Sequence, residues 1–208
     1  DITFLELNSD FNATLDLFLK TEAGLCRNTI VRYMKCFKRI TNMALAKEWM
    51  RKDPFYGYKM AQDETDPVFL TYPELKSIME KEFTIPRLAL VRDIFVFAAF
   101  TGLAFANVST LTKDNLVQDN NGDWWIRKGR VKLERRHRAS SVCNIPLLPV
   151  PLAILKKYEE HPICRKKSLC LPVICNQRMN SYLKEIADLC NIRKNLTTHT
   201  AKHSKIYI

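Results

Sequence analysis

The hydrophobic pattern of this 208-residue chain changes period twice, and that order limits the folds open to it. Up to about residue 111, apolar side chains recur at three- and four-residue spacing, as in helices that face a core. Residues 114–118, 123–128 and 141–146 read as three short strands, and Asn120-Asn121-Gly122-Asp123 is a hairpin turn between the first two. From Pro149 the pattern is helical again. Helices, antiparallel strands, then helices predict a mainly α protein with a small three-stranded antiparallel sheet, an α+β fold.

Residues 11–23 predict a first helix, with Phe11, Leu15 and Phe18 at helical spacing. Asn28 and Thr29 are candidate caps for a second, running to about Trp49. Its stripe of Ile30, Tyr33, Met34, Phe37, Thr41, Ala44 and Leu45 predicts a core-facing side. At about 100° per residue, Arg32, Lys35 and Arg39 fall on the other side. Residues 58–71 are polar and contain Pro67, so they read as a linker between parts 1–57 and 72–208. Thr71-x-x-Glu74 is a capping box opening a helix to about Lys81. Residues 86–100 form a strongly apolar helix that starts at Pro86 and stops at Thr101-Gly102, and a short helix follows at 106–111. Pro149 opens a helix to about Tyr158, Asn176 one through Leu189, and Thr197 or Thr198 a last one.

Lys and Arg number 33 against 22 acids, a net charge of +11. The excess is concentrated, with net +7 in residues 27–52, +6 in 127–138 and +3 in 156–167. Such clusters suit a polyanionic partner. No window of about 18 apolar residues predicts a membrane span. The first residues lack Met and the basic-then-apolar order of a signal peptide, so the chain is expected to begin inside a longer product. Seven cysteines at irregular spacing fit free thiols in a reducing, cytoplasmic compartment.

Most catalytic signatures fail on inspection. His199 and His203 sit at i, i+4, but position 200 is Thr where a zinc metalloprotease needs Glu. His161, Cys164, Cys170 and Cys175 match no zinc spacing, and the interleaved Leu169, Leu171 and Val173 predict a buried strand of packed thiols. There is no Gly-rich phosphate loop and no G-x-S-x-G. No metal, cofactor or small-molecule substrate is therefore expected.

An ordered set of segments carries more information than any one motif. NTIVRYMKCFKRITNMALAKEWMRKDPF is followed by FLTYPELKSIMEKEF and VRDIFVFAAFTGLAFANVSTLT. WWIRKGRVK, NIPLLPVPLAILKKY, CNQRMNSYLKEIADLCNI and LTTHTAKH come after them. Together they resemble the tyrosine recombinase (phage integrase) family, with the closest likeness to integrases of mobile elements such as transposons in gut anaerobes. The resemblance implies a helical core-binding domain and a catalytic domain that hold double-stranded DNA. It also implies homo-oligomers on DNA, and site-specific recombination through a phosphotyrosine link without metal or nucleotide.

The same resemblance assigns roles. Lys132 matches the hairpin Lys that protonates the leaving 5′-oxygen, and His199 and His203 match the histidines of the H-x-x-R motif. Lys202 stands where that motif has Arg, and Ala104 where the family has its first Arg. Asn107 replaces the usual acid. Arg92 is the candidate for a compensating guanidinium, its alternative being a helix-surface Arg paired with a nearby acid. Arg32, Lys35, Arg39, Arg127, Lys128, Arg130, Arg135, Arg136 and Arg138 are the candidate DNA contacts. The nucleophilic Tyr of the family lies further beyond H-x-x-R than Tyr207 does, so the chain is expected to lack it and to be truncated at both ends. Two functions follow as expectations: the DNA-binding body of a mobile-element recombinase, or an inactive remnant that only binds DNA or a partner integrase.

Overall fold

The computed structural model describes residues 2–4, 6–129 and 142–204. The chain forms two compact units, Asp1–Asp66 and Pro67–Ile208.

The first unit is built on helices α1 (Ser9–Thr21) and α2 (Arg27–Ala46). Asn8 caps α1, its Oδ1 accepting from the Phe11 amide at 2.9 Å. Ile30, Met34 and Phe55 form the buried centre, with Leu15, Leu19, Leu25, Phe37 and Tyr58 packed round it. Phe37 meets Phe55 edge-on at 5.4 Å between ring centres. Asp16 fixes one side of the unit: its carboxylate accepts from Arg27 Nη1 at 2.9 Å and from the Tyr58 hydroxyl. Burial, then that hydrogen bond, pushes the Tyr58 phenol up to about 12.

Three expectations for α2 need correction. The helix starts at Arg27, one residue before the expected caps, with Cys26 at the cap position. Asn28 is therefore inside the first turn, and its amide pairs with the backbone of residue 63 in both directions, at 3.0 and 2.9 Å. The helix ends at Ala46 rather than Trp49, because Glu48 adopts a left-handed φ of 61° and the Trp49 amide turns back to the Ala44 carbonyl. Tyr33 is half exposed rather than in the core, where Val31 takes its place. In α1, likewise, Phe18 is exposed while Asn12 is buried, donating to the Pro54 carbonyl at 2.6 Å.

The second unit is organised round α4 (Pro86–Thr101), which has ten buried residues, among them Phe95 and Phe97. A helix that is apolar on nearly every side must be surrounded, and α3 (Tyr72–Glu80), α6 (Pro149–Tyr158), α8 (Asn176–Leu189) and α9 (Thr198–His203) pack on it. The Thr71–Glu74 capping box forms, and Glu74 also takes Lys194 Nζ at 2.7 Å. Gly102 ends α4 with a φ of 66°, a conformation that glycine adopts without strain. The short helix expected at 106–111 is α5 (Phe105–Val108).

The sheet has the order β1 (Leu116–Gln118), β2 (Trp124–Gly129), β3 (Val142–Pro146), all antiparallel. Ile126 faces Leu116 on one side and Ile145 on the other, and is fully buried. Asp119 organises the β1–β2 turn, accepting from the amides of Asn121 and Asp123 and from Trp125 Nε1, each at 2.9 Å.

One further expectation fails here, and one helix was not foreseen. Residues 169–173 form no strand: one bridge joins Leu169 to Thr112, beside a bond from the Cys170 amide to the Leu111 carbonyl at 2.8 Å. The stretch before them contains an unexpected helix, α7 (Pro162–Lys167), too short for its spacing to show. His161 caps it, accepting from the Ile163 amide at 3.3 Å. Cys164 and Cys170 are buried, and burial pushes the Cys170 thiol up to about 11; Cys175 is exposed. No helix among the described residues is long and apolar enough to cross a membrane.

Candidate functional site

The expected site residues fall in three places. On the first unit, Arg32, Lys35 and Arg39 are all exposed on α2, as the helical spacing predicts. Lys35 Nζ donates to Gln62 Oε1 at 3.0 Å, which holds its ammonium at the helix surface. The buried side of α2 is Ile30, Val31, Met34, Thr41 and Ala44, so the packing of this small unit decides which way the cations point.

The second place is the sheet. Arg127 is exposed on β2. Lys128 is turned inward instead: its Nζ donates to the Thr110 carbonyl at 2.6 Å and to Asn115 Oδ1 at 3.0 Å, tying β2 to the turn before β1. Lys132, Arg130, Arg135, Arg136 and Arg138 lie outside the described residues, as does Tyr207.

The third place is α9. Thr200, Ala201 and Ser204 are buried, and His199, Lys202 and His203 are exposed on the opposite arc. The two rings stand edge-on, with 2.9 Å between their Nε2 atoms. One ring must donate and the other accept, so the two imidazoles share a single N–H between them. The helix itself is firmly placed. Thr197 caps it, with Thr200 returning the capping box. Asn180 Oδ1 accepts from the Thr198 amide at 2.9 Å, and Asn176 Oδ1 from the Thr198 hydroxyl at 2.8 Å. At its far end, Ser204 Oγ donates to the Thr200 carbonyl and accepts from the Leu70 amide at 2.7 Å. Asn176 and Asn180 are spaced i, i+4 on α8, a regularity visible in the sequence that sequence reasoning missed.

The structure brings α9 and the Ala104 segment together. Ala104 is the residue before α5, and Asn107 lies within it. Phe105 and Val108 of α5, Thr198 and Ala201 of α9, and Ile94, Phe95 and Ala98 of α4 all line one small apolar cavity. Arg92 is not part of that grouping. It lies about 200° round α4 from Ile94, beside Met79, Val150, Ala153 and Lys157. Its Nε donates to Asp93 Oδ1 at 2.7 Å and its Nη1 to the Lys81 carbonyl at 2.7 Å. Of the two readings of Arg92, pairing with a nearby acid describes this geometry, although the pair is partly buried rather than on the surface.

Residues 1–60 match the phage integrase SAM-like domain family. No curated protein sequence matches the chain. Among solved structures, the Tn1549 transposon integrase in complex with circular intermediate DNA superposes with a TM-score of 0.67 at 16% identity, over 98% of this chain and 71% of that one. The chain has the tyrosine recombinase fold. The XerH site-specific recombinase bound to palindromic difH substrate gives 0.62 at 17% identity, over 98% of this chain and 60% of that one. A lambda integrase dimer bound to a COC′ core site gives 0.69 at 13% identity, over 98% and 69%. On this recombinase fold, α9 and the segment from Gly102 into α5 carry the residues that the sequence resemblance assigned to the two Arg motifs.

Proposed function

We propose that this chain is the DNA-binding body of a site-specific recombinase of a mobile element. In this reading residues 1–57 are its core-binding part, 58–71 a linker, and 72–208 belong to its catalytic domain. The observation that carries it is the exposed basic face of α2, Arg32, Lys35 and Arg39, on a unit that matches an integrase domain. The recombinases that share the fold were solved on DNA. His199 and Lys202 would face the scissile phosphate, where added negative charge develops as the bond is attacked. Lys132 would protonate the leaving 5′-oxygen.

Binding of the chain to duplex DNA should be dominated by phosphate contacts. If roughly six are made, log K against log salt should slope at about −5. Fluorescence anisotropy across a salt series measures this, and a slope near zero rejects the reading. Reversing the charge at Arg32, Lys35 and Arg39 should weaken binding to every sequence alike, because phosphate contacts position without specifying.

A second reading is favoured by two residues. Ala104 has no donor, and Lys202 lacks the planar fork with which Arg grips phosphate oxygens. A chain with both changes fits a remnant that holds DNA or a partner integrase without breaking strands.

A further inference from the structure

The exposed arc of α2 is only half basic. At about 100° per residue, Lys35, Arg39 and Arg32 take up roughly 60° of the helix surface, and Met43, Cys36, Ile40 and Tyr33 fill the next 80° or so. These are not core residues that happen to protrude. The buried stripe of the same helix is complete without them, and Ile30, Val31 and Met34 are fully enclosed. Tyr33, Ile40 and Met43 are instead 52%, 52% and 53% exposed. An apolar strip of this kind has no use for a polyanion's phosphates, yet it runs directly alongside the cations that do.

We propose that α2 enters the major groove of DNA, and that Ile40 and Met43, with Tyr33 at the edge, read thymine through its 5-methyl group. The inference rests on the DNA-binding reading above and adds what that site recognises. A major groove admits one α-helix and displays phosphates along its walls and base edges on its floor. The methyl of thymine is the apolar group that it presents there, and an aliphatic side chain is its natural partner. The geometry has the right scale. From Arg32 to Met43 the helix rises about 16 Å, which is roughly five base-pair steps at 3.4 Å each. The cations at the edge of the arc would lie against one phosphate wall while the apolar strip faces the floor. Charge complementarity selects DNA over a second copy of the chain, whose α2 would oppose the same three cations. A membrane surface fits less well. An interfacial helix commits its whole apolar face to lipid, and here that face is already the core of the unit.

The test compares two duplexes that differ only in the methyl group: alternating poly(dA-dT) and alternating poly(dA-dU). The 208-residue chain should bind the thymine duplex more tightly, by about fourfold for each methyl it buries. Because an apolar contact is not screened, that ratio should hold as salt rises while both affinities fall. The double variant Ile40→Ser, Met43→Ser changes only exposed side chains and should bring the ratio to one. Lys35→Gln, Arg39→Gln should weaken both duplexes and leave the ratio unchanged. Binding to neither duplex overturns the DNA-binding reading itself. Equal, salt-dependent binding to both keeps that reading and overturns the thymine contact. The contact is likewise overturned if the Ile40/Met43 variant leaves the ratio intact while changing the oligomeric state by sedimentation or abolishing binding to phosphatidylserine vesicles.

Discussion

Asp93 is a buried carboxylate that serves three partners at once. Its Oδ1 accepts from Arg92 Nε at 2.7 Å; its Oδ2 accepts from Lys157 Nζ at 2.7 Å and the Tyr158 hydroxyl at 2.8 Å. Burial, then this bond to Asp93, raises the Tyr158 phenol far above its ordinary range. The three bonds join α4 to α6 and, through Arg92, to the carbonyl of Lys81 after α3. Removing the carboxylate leaves buried donors unpaired, so Asp93→Ala should cost about 3–5 kcal/mol in urea denaturation. Lys157→Ala should cost under about 1 kcal/mol, since its side chain is 52% exposed and water replaces the bond. At this scale the sequence was half legible. Adjacent Arg92 and Asp93 are an obvious pair, but only the packing of Tyr158 and Lys157 against them shows that the guanidinium is engaged and lies away from α9. The role of Lys132, which lies outside the described residues, rests on the resemblance. In a recombinase competent for cleavage, Lys132→Ala should slow cleavage roughly 10²–10⁴-fold and barely change binding. A 5′-sulfur leaving group, which needs no proton, should restore the rate; an unchanged rate on the normal substrate rejects the role.

Among the elements, α9 is the one whose position matters most to the proposed chemistry and whose own sequence does least to secure it. Six residues cannot form a stable helix in isolation. The Thr197 cap is local and readable. The bonds from Asn176 and Asn180 on α8, and from the Leu70 amide to Ser204, are not local at all. Asn180→Ala removes the acceptor of the Thr198 amide. It should cost about 1 kcal/mol and raise hydrogen exchange in α9 more than in α4; equal protection in the variant would show that α8 does not position α9. The same contrast runs through the other elements. Thr71–Glu74, Pro86 to Gly102, and the turn at Asp119 were all legible because their signals lie within a few residues. The start of α2 was not, because Asn28 has a distant partner in residue 63 and so is not a cap.

For the molecule as a whole, the decisive question is whether it can form a covalent link to DNA. Loss of one well-placed donor to a developing oxyanion costs about 3–4 kcal/mol, and in the proposed reading two donor positions are changed, to Ala104 and Lys202. The chain alone, incubated with suicide substrates carrying candidate attachment sites, should bind them and form no tyrosine-linked adduct. An adduct would overturn the inactive reading, and a tyrosine supplied in trans by a second copy would reveal itself as adduct in mixtures of complementary variants. Fold class, the three-stranded sheet, the basic stripe of α2 and the motif order were determined by the sequence itself. Periodicity, turn residues and charge are local properties that need no partner to be read. Only the tertiary structure decided that Lys128 is turned inward, that Arg92 belongs to a buried network, and that α5 and α9 meet on one side of α4. It also left Tyr33, Ile40 and Met43 outside the core. The physical reason is the same in each case: a side chain's role depends on which groups from remote parts of the chain are there to satisfy or bury it, and spacing along one helix cannot supply that.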